Sequence, residues 1–255
     1  MRFRPCIDLH LGKVKQIVGS TLTDDPAHLP TTNFETNKPP SFFADLYRKD
    51  DIKGGHVIML GSGNDTAAIE ALKAFPGGLQ VGGGINPQNS EKFLAAGASH
   101  VIVTSYVFQK GLINYTNLKH LSGSVGKNRL VIDLSCKRKD DLYYIVTDRW
   151  THFTETHISE KTMTDLAAYC SEFLVHAADV EGKQQGIDEE LVWLLGSSSP
   201  IPVTYAGGIH TFEDLEQVKL AGQEKVDATI GSALDIFGGK MSYAEVVKWF
   251  AENNS

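Results

Sequence analysis

Val131-Ile132-Asp133-Leu134 repeats, about 125 residues on, the pattern of Pro5-Cys6-Ile7-Asp8-Leu9: an apolar run closed by an aspartate. The echo continues along the chain. Val81-Gly82-Gly83-Gly84-Ile85 is answered by Tyr205-Ala206-Gly207-Gly208-Ile209, and Val103-Thr104-Ser105 by Ile230-Gly231-Ser232. A period this long exceeds a solenoid repeat and fits two halves of one closed architecture. The two aspartates and two glycine turns are therefore expected to face one shared site.

Working outward, short runs rich in Val and Ile alternate with stretches of helical spacing, the signature of repeated β-α units on a parallel sheet. Strands are expected near 3–8, 56–60, 79–82, 100–104, 129–133, 173–177, 201–205 and 227–231. Eight is the number a closed ring needs. Helices fit over 66–75, 87–96, 114–121, 161–171, 188–195, 211–221 and 242–251, with starts at Asn86-Pro87-Gln88 and Thr211-Phe212-Glu213-Asp214. The 255 residues match one (β/α)8 TIM barrel, so the reading is α/β, a single domain over 1–255 with half-barrels of about 1–125 and 126–255.

Two connections are longer than usual. The polar stretch between Gly19 and Ser41, with Pro26, Pro30, Pro39 and Pro40, reads as either a lid or a disordered segment overhanging the C-terminal face. Between Leu134 and Lys161, Leu142-Tyr143-Tyr144-Ile145-Val146 reads as an extra strand followed by Asp148-Arg149-Trp150, a hairpin over the same face.

Composition excludes several classes. With 42% hydrophobic and 22% charged residues the chain is ordinary for a soluble protein, and no apolar run approaches the roughly 18 residues needed to cross a bilayer. A net charge of −7 argues against a nucleic-acid partner, yet leaves room for a small phosphorylated ligand held by backbone amides. The N-terminus runs straight into an apolar strand, so the expectation is a cytoplasmic protein, and a monomer by default. Cys6, Cys136 and Cys170 have neither disulfide nor CxxC spacing, and read as buried thiols. His10, His56, His157, His176 and His210 lack metal-ligand spacing, so no metal is expected, and the chain carries no GxSxG, Walker lysine motif or GxGxxG in a β-α-β context.

Asp8 and Asp133 close the first and fifth strands, opposed in an eight-stranded ring, where barrel side chains point into the active-site mouth. They read as an acid and base pair on opposite sides of one substrate. A strand-end Asp that merely caps a turn is the plainer alternative, and the matched spacing disfavours it. Gly82-Gly83-Gly84 with Thr104-Ser105, and Gly207-Gly208 with Gly231-Ser232, read as two anion cradles, because glycine admits close backbone approach and the following helix adds its positive end. A bisphosphate small molecule is the ligand this pattern predicts. Trp150 is open to two readings, a ring stacked on a planar ligand or a plug under a loop.

Taken in order, Cys6-Ile7-Asp8-Leu9-His10-Leu11-Gly12-Lys13-Val14-Lys15-Gln16, the triple glycine, Val131-Ile132-Asp133-Leu134-Ser135, His176-Ala177-Ala178-Asp179-Val180-Glu181-Gly182 and Gly231-Ser232-Ala233-Leu234 resemble the histidine-biosynthesis barrels, in particular their eukaryotic-type ProFAR isomerase branch. The resemblance spans essentially the whole chain. It implies a cofactor-free Amadori rearrangement, with Asp8 as base at ribose C2, Asp133 or a group after strand six as acid, two phosphate sites, and Trp150 stacked on an imidazole carboxamide. The sequence departs from the bacterial pattern in four places. His176 and Glu181 stand for a threonine and an aspartate, Asn86 for an arginine, Met59-Leu60-Gly61 for an acidic pair, and Ser232 for an arginine. The alternatives are the cyclase barrel of imidazole glycerol phosphate synthase, which shares the aspartates and cradles, and a non-catalytic barrel that only binds phosphorylated ligands.

Overall fold

The computed structural model describes residues 1–18, 21, 31–148, 150–183 and 185–253. Most of the expected lid, and Arg149 of the expected hairpin, lie outside these residues.

Eight parallel strands form the ring. In chain order they are β1 (Cys6–His10), β4 (Gly55–Met59), β5 (Leu79–Gly82), β6 (Val101–Val103), β9 (Leu130–Asp133), β13 (Glu172–His176), β14 (Val203–Ala206) and β15 (Val226–Thr229), each paired with the next. The ring closes where Phe3 bridges Ala228 in parallel, with Arg4 N donating to the Ala228 carbonyl at 2.9 Å and Ala228 N to that of Arg2 at 2.9 Å. All eight expected strands are present, each within a few residues of its expected bounds.

Alternation along each strand explains the closure. Ile7 and Leu9, Val57, Leu79 and Val81, Val101 and Val103, Leu130 and Ile132, Phe173 and Val175, Val203 and Tyr205, and Val226 join the outer core under the helices. The intervening positions belong to a different environment. Ile102, Val131 and Leu174 pack separately, with Ile58 against them, as an apolar layer inside the ring. On the same parity as Leu174, Glu172 sits toward the start of β13 and His176 at its end.

Below the apolar layer the ring holds a buried polar layer. Arg4 Nε donates to Asp227 Oδ2 at 2.8 Å, Arg4 Nη2 lies 3.6 Å from Glu172 Oε2, and Gln80 Nε2 and Thr204 Oγ1 donate to Glu172 Oε1 at 3.1 and 3.3 Å. Buried charges on strands far apart in sequence are tolerable only when paired and hydrogen-bonded, and these are.

The outer helices include α2 (Asp65–Ala74), α4 (Tyr115–Val125), α5 (Glu160–Ala167), α6 (Glu189–Ser198), α7 (Phe212–Ala221) and α8 (Tyr243–Asn253). Thr211 caps α7 in a reciprocal box with Asp214, as the Thr-x-x-Asp spacing predicts. One helix start differs from expectation. Asn86 Oδ1 accepts from Gln88 N and Asn89 N, and this Asx turn delays α3 to Ser90–Ala95.

Several elements were not expected, among them the short antiparallel pair β7 (Phe108–Gln109) and β8 (Leu112–Ile113). Helix α1 (Pro40–Lys49) follows Pro39 with proline in its first turn and buries Phe43, Ala44 and Tyr47; Pro39 and Pro40, which read as loop, form a helix start. Strands β2 (Lys13–Ile17) and β3 (Thr32–Glu35) extend the sheet antiparallel from β1. After β9, the expected hairpin is a three-stranded antiparallel sheet of β10 (Cys136–Lys139), β11 (Leu142–Thr147) and β12 (His152–His157), pinned to the ring by the Cys136–Ala177 bridge. Among the described residues no helix is long and apolar enough to cross a membrane.

Candidate active site

The mouth of the ring holds a pocket lined in part by Asp8, His176, Glu181, Gly208, Gly231 and Ser232. These residues come from the C-terminal ends of β1, β13, β14 and β15, where barrel enzymes place their chemistry.

Four titratable groups are coupled there. Asp8 is pushed up to about 7, first by burial and then by the charge of Glu181, against the pull of His176 and a 3.0 Å hydrogen bond donated by Gln16 Nε2. Across the ring, burial also presses Asp133 upward. His176 and the Ser135 donors outweigh it, and its carboxyl is held below the usual range. Ser135 N and Oγ both donate to Asp133 Oδ1, at 2.8 and 2.7 Å, and His176 Nδ1 lies 3.5 Å from the same oxygen.

His176 responds in the opposite sense. Burial disfavours its charge, but Asp133, Glu181 and Asp8 together push it up to about 9, so it carries a proton at neutral pH. Burial raises Glu181 above the ordinary carboxylate value, with His176 opposing. Beneath this group, His56 is driven down to about 3 by burial and by the charge of His176, whose ring it meets edge-on at 6.0 Å. A neutral imidazole thus underlies a charged one.

The two glycine turns are unlike. Gly207 and Gly208 are buried in the pocket wall, and Gly208, at φ +74°, has no room for a side chain because a Cβ would sit 1.9 Å from the Gly186 carbonyl. By contrast Gly84 and Ser105 are exposed, with Gly83 and Thr104 half-buried, at the ends of β5 and β6 and outside the pocket lining. The Asn86 and Asn89 side-chain amides donate to the Gly84 carbonyl at 3.4 and 2.9 Å, which fixes the first turn without a cationic side chain.

Trp150 tilts against His176 with ring centroids 5.7 Å apart, and Lys137 Nζ donates to its carbonyl at 2.8 Å. It therefore borders the site directly. Gln16, Ser135 and His56 are site neighbours that the sequence does not single out as site residues. Their signal was a polar residue on the inward parity of a strand, or directly after one, where an apolar residue would otherwise stand. Cys6, Cys136 and Cys170 are buried free thiols, and among the described residues no cluster of three or more His, Cys, Asp and Glu side chains is arranged to hold a metal ion.

A closed (β/α)8 ring with coupled carboxyls and a charged imidazole at its C-terminal mouth defines a barrel of the acid–base enzyme type. The chain matches the family described as histidine biosynthesis protein over residues 2–242. It is 58% identical over 254 residues to the chloroplastic ProFAR isomerase of Medicago truncatula, covering 98% of this chain and 81% of that one. The Neurospora crassa isomerase is 53% identical over 252 residues, 97% and 98% of the two chains, and that of Saccharomyces cerevisiae 45% over 255 residues, 97% of each. The chain belongs to the histidine-biosynthesis barrels and, within them, to the eukaryotic ProFAR isomerases.

Proposed function

We propose a division of labour for the reaction catalysed, the Amadori rearrangement that turns ProFAR into PRFAR in histidine biosynthesis. The substrate is an aminoaldose carrying two phosphoribosyl groups, and the product is the corresponding aminoketose.

Opening the furanose needs a proton on the ring oxygen, and His176 supplies it. Its imidazolium is held in charge by Asp133, which stays ionised and orients the ring rather than donating itself. The opened, protonated imine loses its C2 proton to Asp8, giving an enaminol. That species takes a proton at C1 from Asp8 while its hydroxyl proton returns to His176, so every proton is restored. Glu181, after β13, completes the acid–base group; burial first and the Glu181 charge second keep Asp8 near neutrality, where a general base works best. The supporting observation is the opposite displacement of Asp8 and Asp133, two strand-end carboxyls coupled to one imidazole.

Gly207, Gly208, Gly231 and Ser232 form the enclosed phosphate cradle, and Gly83, Gly84, Thr104 and Ser105 an open one at the other end of the ligand. Two fixed phosphates hold the reacting carbon over Asp8 and remove much of the entropic barrier. Trp150, beside His176, stacks on the imidazole carboxamide. The reaction draws on no cofactor in this scheme. One domain supplies every group named, which supports a monomer, and three free thiols fit the reducing cytoplasm.

The test is ProFAR turnover by the wild type and by Asp8→Asn, alongside an assay for imidazole glycerol phosphate from PRFAR plus ammonia. Turnover lost in the variant and no cyclase product support the assignment. Equal rates for both proteins would dispose of Asp8 as base, and cyclase product would point to the sister activity.

A further inference from the structure

Asp8 is held by a side chain that comes from outside the ring of parallel strands. Gln16 lies on β2, the antiparallel extension, and is only 2% exposed. Its Nε2 donates to Asp8 Oδ2 at 3.0 Å and approaches Cys6 Sγ at 3.7 Å. Its carbonyl is engaged as well, because Ser232 Oγ donates to Gln16 Oε1 at 3.4 Å across 216 residues of sequence. Ser232 in turn accepts from Asn33 Nδ2 at 3.3 Å, and Asn33 also reaches the Gly182 carbonyl at 3.2 Å. Every donor in this chain points the same way, from Asn33 through Ser232 and Gln16 to the carboxylate.

That polarity fixes the amide. With the serine hydroxyl on its oxygen and a carboxylate on its nitrogen, Gln16 has one sensible orientation, and aligned donors polarise one another. The fit is close. A Cβ at Gly231 would stand 2.4 Å from Gln16 Oε1, so glycine there makes room for the amide as well as for a ligand oxygen.

We propose that Gln16 is the positioning residue for the catalytic base: it occupies one oxygen of Asp8, leaves the other to take the C2 proton, and ties that carboxylate to the phosphate cradle through Ser232. This rests on the assignment of Asp8 as base. The titratable groups whose charge is coupled to Asp8 are Cys6 beside it on β1, Tyr47 on α1, and His176 and Glu181 from β13 and the segment after it. Of these His176 alone is cationic, so the Gln16 donor is the second influence favouring the ionised form. Its removal makes Asp8 harder to ionise.

The test compares wild type, Asp8→Asn, Gln16→Leu and Gln16→Met, two apolar replacements of similar length that lack the donor. Thermal unfolding and inhibition by inorganic phosphate establish that each is folded with its cradle intact, and one folded variant suffices. The expected result is kcat/KM lowered by about 10- to 100-fold, carried by kcat, with the acid limb of its pH profile moved up by about one unit. A folded variant with an unmoved acid limb and wild-type kcat overturns the proposal while leaving Asp8 as base, provided Asp8→Asn is inactive. An active Asp8→Asn overturns the parent assignment instead.

Discussion

Replacing Asp133 by Asn leaves an oxygen for the Ser135 donors but removes the charge that keeps His176 protonated. With Asp8 near 7 and His176 near 9, the productive state is Asp8 ionised and His176 charged, so kcat/KM traces a bell centred on about pH 8. At that centre each group is about nine-tenths in its required form. Without Asp133, His176 loses the strongest influence that raises it, and burial draws it down against what remains from Glu181 and Asp8. A fall to the ordinary imidazole value of about 6.5 leaves a charged fraction of about 3% at pH 8, a loss of roughly 30-fold in kcat/KM. Asp8 suffers too, because a charged His176 lowers its pKa; the acid limb therefore rises as the alkaline limb falls, and the bell narrows from both sides. Steady-state rates with ProFAR over the neutral and alkaline range measure both limbs. An alkaline limb still near 9 in Asp133→Asn would refute His176 as the proton donor.

Asp8→Asn is expected to lower turnover by two or more orders of magnitude while ligand affinity stays within about tenfold, measured by inhibitor binding. Ser232→Asp should show the reverse balance, with phosphate-ligand affinity weakened by like-charge repulsion in the enclosed cradle; unchanged affinity would mean that no phosphate lies there. Gly208→Ala meets the Gly186 carbonyl at 1.9 Å and a φ of +74°, so thermal unfolding should show a loss of about 1–3 kcal/mol together with weaker ligand binding. A variant as stable and as tight as wild type would show that the turn relaxes freely.

The ring was legible because its outward residues are almost uniformly Val, Ile and Leu and its strand ends carry paired Asp and Gly signals. Helix α1 was hidden because Pro39 and Pro40 close a proline-rich stretch and open a helix with the same residues. The antiparallel strands β2 and β3 were hidden because their pairing is decided by β1 and not by any pattern of their own. At the site, both aspartates could be picked from the sequence, but their unequal roles could not. Asp133 is held ionised by Ser135 and His176, and Asp8 is raised by burial and by Glu181, and only three-dimensional neighbours set that difference. Gln16 reads as one letter of a motif in the sequence, and only the fold brings its amide against both Asp8 and Ser232.

The ring is sealed where Phe3 and Arg4 meet Ala228 and Asp227, some 223 residues away along the chain. Asp8 on β1 and Ser232 after β15 flank that seam, so the first and the last strands of the ring to be synthesised build the proposed catalytic centre jointly. A nascent chain can shelter most of its apolar surface long before it can turn over a molecule, and activity should report the final zipping of the cylinder more faithfully than any probe of secondary structure.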